Sequence, residues 1–330
     1  MKITILGGGG FLGRKLAARL AQEGKLGGRP VSGLTLFDVT EPAKVEALCP
    51  VTCLAGDIVD LPDAAIPPGT DVVFHLAAVV SAQAEADYDL GRRVNLRGTD
   101  AVVDACRRVV AAGGTPPRVV FTSSVASFSG GQDSVLPDDA RQVPGNSYGA
   151  QKAAAELILA DASRRGFLDA VSIRLPTVIV RPGRPNKAAS SFFSAIVREP
   201  LLGLETELPV GDEFAVWVCG PRRAVDWQMH AGTMETSQLG LDRSINPPGI
   251  STTIAHLLQA LEEVCPGATA RVRRVDDQAI AAIVGTWPPA FEALRARTLG
   301  FAAHEPIIDV VRAFIEDDLD ATRKERLAGM

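Results

Sequence analysis

The sequence predicts an α/β fold, a doubly wound parallel sheet with a smaller and less regular C-terminal domain. Three observations predict it. Short β-branched runs alternate with helical stretches over the first half, a glycine cluster joins the first run to the first helical stretch, and prolines break the texture after Thr177. With 330 residues, 46% hydrophobic and 22% charged, the chain can bury a large core and carries no low-complexity block.

Strands are expected at Lys2 to Leu6, Leu34 to Asp38, Val51 to Gly56, Asp71 to Leu76, Arg118 to Ser123 and Ala170 to Leu175. Between the first two, "FLGRKLAARLAQEG" has apolar residues at helical spacing and ends at a glycine, as helix C-termini often do. Beyond Thr177, Pro182, Pro185, Pro200, Pro209 and Pro221 divide the chain into short pieces. "STTIAHLLQALEEV" then reads as a helix capped at Ser251, and a terminal helix is expected from about Pro306 to Leu319. Residues 1–178 are expected to form the first domain and 179–330 the second, part of which returns to the first.

A net charge of -5 and a pI near 5.5 argue against nucleic acid as a partner, because phosphate binding needs a clustered positive field. The N-terminal apolar run is interrupted by four glycines and is not expected to act as a signal peptide. No apolar stretch has the length of a membrane span, so the expectation is a cytoplasmic protein with no membrane partner. Five scattered cysteines do not form a disulfide framework. Cys49 and Cys53 lack a second pair of ligands, so no metal site is expected.

"ITILGGGGFLGRKLA" places glycines between a strand and a helix, where backbone N–H groups and the helix dipole can hold a pyrophosphate. Two registers fit: Gly8, Gly10 and Gly13 as G-x-G-x-x-G, or Gly7, Gly10 and Gly13 as G-x-x-G-x-x-G. "LTLFD" ends the second strand at Asp38, 25 residues beyond Gly13. A carboxylate there accepts from ribose hydroxyls and repels a 2′-phosphate, which favours NAD over NADP and a Rossmann-type sheet.

"NSYGAQKAAAEL" holds Tyr148, one of two tyrosines in the chain, with Lys152 four residues on. A phenol ionises near pH 10 and becomes a useful base only when its anion is stabilised. An ammonium on the same helix face can do this, and the phenol can then take a proton from an alcohol. The alternative is an ordinary surface pair. Ser124, at the end of the strand in "VVFTSSVASF", is placed to hydrogen-bond the same substrate oxygen, which favours the chemical reading.

With these motifs in this order, the sequence resembles the extended short-chain dehydrogenase/reductases, the NAD-dependent epimerase/dehydratase group. The resemblance implies that Gly7, Gly10 and Gly13, with Phe11 and Leu12 at the helix start, hold the NAD pyrophosphate and that Asp38 holds the adenosine ribose. It implies that Asp57 and Ile58 in "AGDI" flank adenine and that Leu76, Ala77 and Ala78 in "FHLAA" run along the cofactor. Asn95 supports the central strands at the cofactor site, and Ser124, Tyr148 and Lys152 form the catalytic triad, with Lys152 also on the nicotinamide ribose. A homodimer is implied as well, through the helices of the Asn95 and Tyr148 regions.

Departures from the pattern bear on the substrate. Leu6 stands where many members have threonine, Phe128-Ser129 replaces Tyr-Gly, and "IRLPTVIVRPGRPNK" replaces R-x-x-N-x-Y-G-P, which argues against a nucleotide sugar. The second half resembles dehydrogenases that oxidise the C2 hydroxyl of the four-carbon sugar acid D-erythronate. Such an acid needs a cation as well as Ser124 and Tyr148. "RPGRPNK" offers Arg181, Arg184 and Lys187, of which Arg184 and Lys187, with Asn186 as a neutral donor, are the expected substrate residues. A solvated basic loop is the alternative, with Arg222 the next candidate cation. A nucleotide-sugar 4-epimerase and a non-catalytic NAD-sensing protein are the competing functions.

Overall fold

A computed structural model describes residues 1–131, 135–184 and 190–328. Its main sheet contains β1 (Lys2–Leu6), β2 (Gly33–Asp38), β3 (Val51–Ala55), β4 (Val72–His75), β5 (Arg118–Ser124) and β6 (Asp169–Leu175). Each lies within a residue of its expected bounds, because buried parallel strands are written as near-continuous runs of Val, Ile, Leu and Phe. The sheet has seven strands in the order β9-β6-β5-β4-β1-β2-β3, all parallel, where β9 is Ser244–Ile245. The order reverses between β1 and β4, and ligands of such sheets bind in the crevice at that switch point.

One face of the sheet is covered by α1 (Phe11–Glu23), whose Leu16 and Leu20 pack with Ile3, Ile5, Leu36 and Phe74. Gly24 ends this helix in the left-handed conformation at φ 63° and donates its N–H to Leu20 O at 3.0 Å. The opposite face is covered by α2 (Gly98–Ala111) and α3 (Ser147–Arg164), where Val102, Ala155 and Leu159 meet Val73, Val119 and Phe121.

At Pro176 the chain leaves the main sheet. β7 (Thr177–Val178) pairs in parallel with β8 (Ala215–Cys219), which pairs antiparallel with β10 (Ile250–Thr253). Around this small sheet a second core gathers Phe193 and Val197 of α4 (Ser191–Leu201), Leu257 and Leu261 of α6 (Ile254–Val264), and Val310 and Phe314 of α7 (Ile307–Asp317). Two pieces of the second half lie against the main sheet. α5 (Pro221–Ala231) packs Trp227 into the core beside α1, and β9 hydrogen-bonds to β6.

Two expectations need correction. Ser251 does not cap a helix: it is a strand residue opposite Trp217, and Thr253 caps α6 by accepting from His256 N at 3.3 Å. The run Ile250 to Thr253 is β-branched at three of four positions, and pairing with β8 uses it before the helix begins. The terminal helix does not close the chain either. α7 stops at Asp317, and α8 (Leu319–Ala328) follows. Asp317 and Asp318 approach the Lys15 ammonium at 3.6 and 2.8 Å, a pull across to α1 that coincides with the break. Among the described residues, no helix is long and apolar enough to cross a membrane.

Candidate active site

The glycine turn is built where side chains cannot go. Gly7 has φ 87°, and a Cβ on it would lie 2.6 Å from Ala77 N, while a Cβ on Gly13 would lie 2.1 Å from Gly7 O. Gly8 has no such φ, and its virtual Cβ meets Leu36 Cβ at 3.1 Å. Of the two registers, the geometry therefore singles out Gly7, Gly10 and Gly13. Gly10 precedes α1 with no side-chain cap, so the first-turn N–H groups of Phe11, Leu12 and Gly13 receive no oxygen from a cap side chain. An anionic diphosphate fits such a cradle.

Asp38 ends β2 beside this turn. Its Oδ2 accepts from Gly9 N at 2.9 Å and its Oδ1 from Val39 N at 2.7 Å. Asp38, Gly7, Gly10, Asp57, Ile58, Leu76, Ala77 and Ala78 line one cavity of about 450 Å³. Asp57 accepts from Val59 N at 3.0 Å and pairs with Arg93 at 2.6 Å, and these contacts hold its carboxyl below the usual carboxylate range. Leu76 and Ala77 donate their N–H groups to Leu6 O at 2.8 and 2.9 Å, which fixes the strand-end loop against β1. Asn95 stands behind that loop and does not line the cavity. Its amide bonds both polar backbone atoms of Val79, at 2.9 and 3.0 Å, and donates to Gln151 Oε1 at 2.7 Å.

A second cavity, of about 370 Å³, shares Leu76 and Ala78 with the first and is also lined by Phe11, Leu12, Ser124, Tyr148, Lys152, Arg181 and Arg184. Helix α3 brings Tyr148 and Lys152 here. Asn146 caps it, accepting from Gly149 N at 2.8 Å, and is itself held by Ser129 Oγ at 2.8 Å. Lys152 is 2% exposed, donates to Thr122 O at 2.7 Å, and has its ammonium 5.6 Å from the centre of the Tyr148 ring and 4.5 Å from that of Phe121.

The electrostatics differ from the spacing argument. Burial raises the Tyr148 phenol above its ordinary value, and what opposes this is the Arg181 guanidinium and a hydrogen bond with Ser124, not Lys152. Burial also brings the Lys152 ammonium down to about 7, with Glu156 one turn further resisting. Helical spacing placed the pair correctly but carried no information about Arg181, which reaches the phenol from beyond β7.

Of the expected substrate residues, Arg184 is exposed at the cavity wall, and Asn186 and Lys187 lie outside the described residues. Arg222 is committed elsewhere, to Glu316 at 2.9 Å and Asp317 at 2.5 Å. Two arginines of the wall, Arg181 and the buried Arg198, were not among the expected substrate residues. Arg181 stood in the basic segment without a mark to distinguish it. Arg198 reads as an ordinary helix residue, and only its burial against Arg181 O, at 2.7 Å, reveals it.

The profile of the NAD dependent epimerase/dehydratase family matches residues 3–220. A protein named D-erythronate dehydrogenase from Cupriavidus necator is 46% identical over 96% of this chain and 98% of its own length. One of the same name from Haemophilus influenzae is 37% identical over 97% of this chain and its whole length. A crystal structure described as a nucleoside-diphosphate-sugar epimerase from Agrobacterium tumefaciens superposes with a TM-score of 0.91 at 43% identity, covering 98% of this chain and 96% of that one.

Proposed function

The chain belongs to the NAD dependent epimerase/dehydratase family, and from that premise we propose that it oxidises the C2 hydroxyl of D-erythronate, or a near four-carbon relative, to the 2-oxo acid. The observation that carries this reading is that Ser124, Tyr148 and Lys152 line one cavity, which shares Leu76 and Ala78 with the Asp38 crevice.

In this reading residues 1–178 are the NAD-binding domain and 179–330 the substrate domain. Gly7, Gly10, Phe11, Leu12 and Gly13 hold the pyrophosphate, Asp38 the ribose, Asp57 and Ile58 the adenine, and Leu76, Ala77 and Ala78 the length of the cofactor. Asn95 acts by holding Val79 in place. Bound NAD supplies the acceptor for the hydride that leaves C2. Tyr148 takes the hydroxyl proton as the C–O bond becomes a carbonyl, and Ser124 hydrogen-bonds the same oxygen. Lys152 holds the nicotinamide ribose, and Arg181 supplies the positive charge that favours the phenolate. Arg184, at the wall, meets the acid as it enters, and Asn186 and Lys187 belong to the same proposal by sequence.

A homodimer formed through α2 and α3 is part of the proposal, carried by the family resemblance. So is a cytoplasmic location, supported by five free cysteines.

The test is incubation with NAD and D-erythronate, followed by NADH absorbance. Net accumulation is expected. A nucleotide-sugar 4-epimerase, the reading favoured by the name of the Agrobacterium structure, returns its hydride and gives none.

A further inference from the structure

Tyr148 and Arg181 stand between two spaces. The cavity on one side carries Phe11 and Leu12 from the end of the glycine turn. On the other side is a compartment of about 80 Å³ whose lining includes Ser124, Tyr148, Thr177, Arg181, Ser190 and Trp287, and no residue of that turn. A dinucleotide laid along the crevice reaches Tyr148 from the first side, which leaves the second for the other reactant.

The chemistry of a 2-hydroxy acid constrains where its counter-charge must be. The carboxylate is bonded directly to the carbon that reacts, so a cation that grips it must stand beside the phenol. Arg181 does so, since it lines both spaces together with Tyr148. It is also held in place: its Nε donates to Val178 O at 3.0 Å, its backbone N–H to Ser194 Oγ at 3.0 Å, and its carbonyl accepts from Arg198 Nη1 at 2.7 Å. With Nε anchored, the Nη edge of the guanidinium has no hydrogen-bond partner among the described residues and can serve as the fork for a carboxylate. Trp287 lines the same compartment, and the bulk of its indole limits the length of a molecule that can lie there.

We infer that this compartment is the acid subsite: Arg181 holds the substrate carboxylate beside Tyr148, and Trp287 closes the far end over the remaining hydroxyls. The site therefore selects a short, charged sugar acid, against neutral polyols by Arg181 and against longer aldonates by Trp287. This rests on the reading of the enzyme as a sugar-acid dehydrogenase.

The experiment compares wild type, Arg181→Met, Arg181→Lys and Trp287→Ala on four-, five- and six-carbon aldonates and on their amides. Calorimetric binding of D-erythronate to the enzyme–NADH complex is measured in parallel. Arg181→Met should lose about 10- to 100-fold more in affinity and kcat/KM for the acid than for the amide, the amide sharing only the loss of the charge beside Tyr148. Arg181→Lys should fall between, and should Arg181→Met not fold, the lysine variant carries the same acid-against-amide comparison. Trp287→Ala should narrow the preference for four over six carbons by about tenfold. Equal losses on acid and amide, unchanged erythronate binding by Arg181→Met, or an unaltered chain-length ranking in Trp287→Ala overturns the inference. NADH release by wild type with an unaffected Arg181→Met overturns it alone. Tight aldonate binding that needs Arg181 but gives no NADH overturns the oxidation reading and leaves the subsite standing. No binding and no turnover of any aldonate overturns both.

Discussion

Asp38 Oδ2 accepts a hydrogen bond from the backbone N–H of Gly9 at 2.9 Å, tying the end of β2 to the glycine turn. The carboxylate is thereby aimed along the crevice wall it shares with Gly7 and Gly10, where a ribose attached to a cradled diphosphate would lie. Its charge opposes a 2′-phosphate there. Asp38→Ser should narrow the preference for NAD over NADP by at least about tenfold in kcat/KM, the scale of one charged hydrogen bond. Equal use of the two cofactors by wild type would remove Asp38 from the ribose site.

Tyr148→Phe keeps the ring that Lys152 approaches and removes only the hydroxyl. The expected result is a loss of at least about 10²-fold in kcat, with NADH affinity nearly intact as read by fluorescence titration. Normal turnover by the variant would place the proton acceptor elsewhere.

Gly13→Ala should damage the cradle directly, because its Cβ would stand 2.1 Å from Gly7 O and backbone cannot yield as a flexible side chain can. A destabilisation of about 1–3 kcal/mol is expected from denaturant unfolding, together with a marked loss of NAD affinity. A variant with wild-type stability and affinity would show that the turn relaxes.

His75 is fully buried between Thr99 and Phe121, and burial lowers its imidazole to about 3. The folded state then binds fewer protons than the unfolded state, where histidine titrates near 6.5. Its contribution is fully present above about pH 6.5 and is lost as pH falls toward about 3, by on the order of 5 kcal/mol at most. In His75→Phe, Thr99 keeps its bond to Asn95 O at 2.8 Å. Unfolding free energies at pH 7.5 and about 4.5 should therefore differ less in the variant than in wild type. An identical pH dependence in both would assign the acid sensitivity to other groups.

The parts legible in the sequence are those written locally. Strands β1 to β6, the Gly7-Gly10-Gly13 turn and the Tyr148–Lys152 spacing each occupy one short segment with its own periodicity or motif. What was not legible is written across long separations. Strand β9 has two residues, too few for any alternation to show, and is recognised by its pairing with Ser172 and Ile173 and by Arg243, whose carbonyl accepts from Ser172 N at 2.8 Å and whose Nε donates to Ala170 O at 2.9 Å. Arg181 and Arg184 look alike in "RPGRPNK", yet one is half-buried beside the phenol and the other is exposed. That difference comes from α4 and β7, which no local pattern in the segment records.

The seventh strand has a consequence for how the chain comes to be made. Because β9 pairs with β6 and α5 fills the space beside α1, a nascent chain emerging from the ribosome cannot finish its cofactor-side sheet until residue 245 is out. A polypeptide released at residue 178 would expose the β6 edge and leave Asp169 without Arg243. That is an open, apolar strand border of the kind that recruits other chains. Release before residue 245 thus leaves that border open to other chains, and the two halves are best produced as one continuous polypeptide.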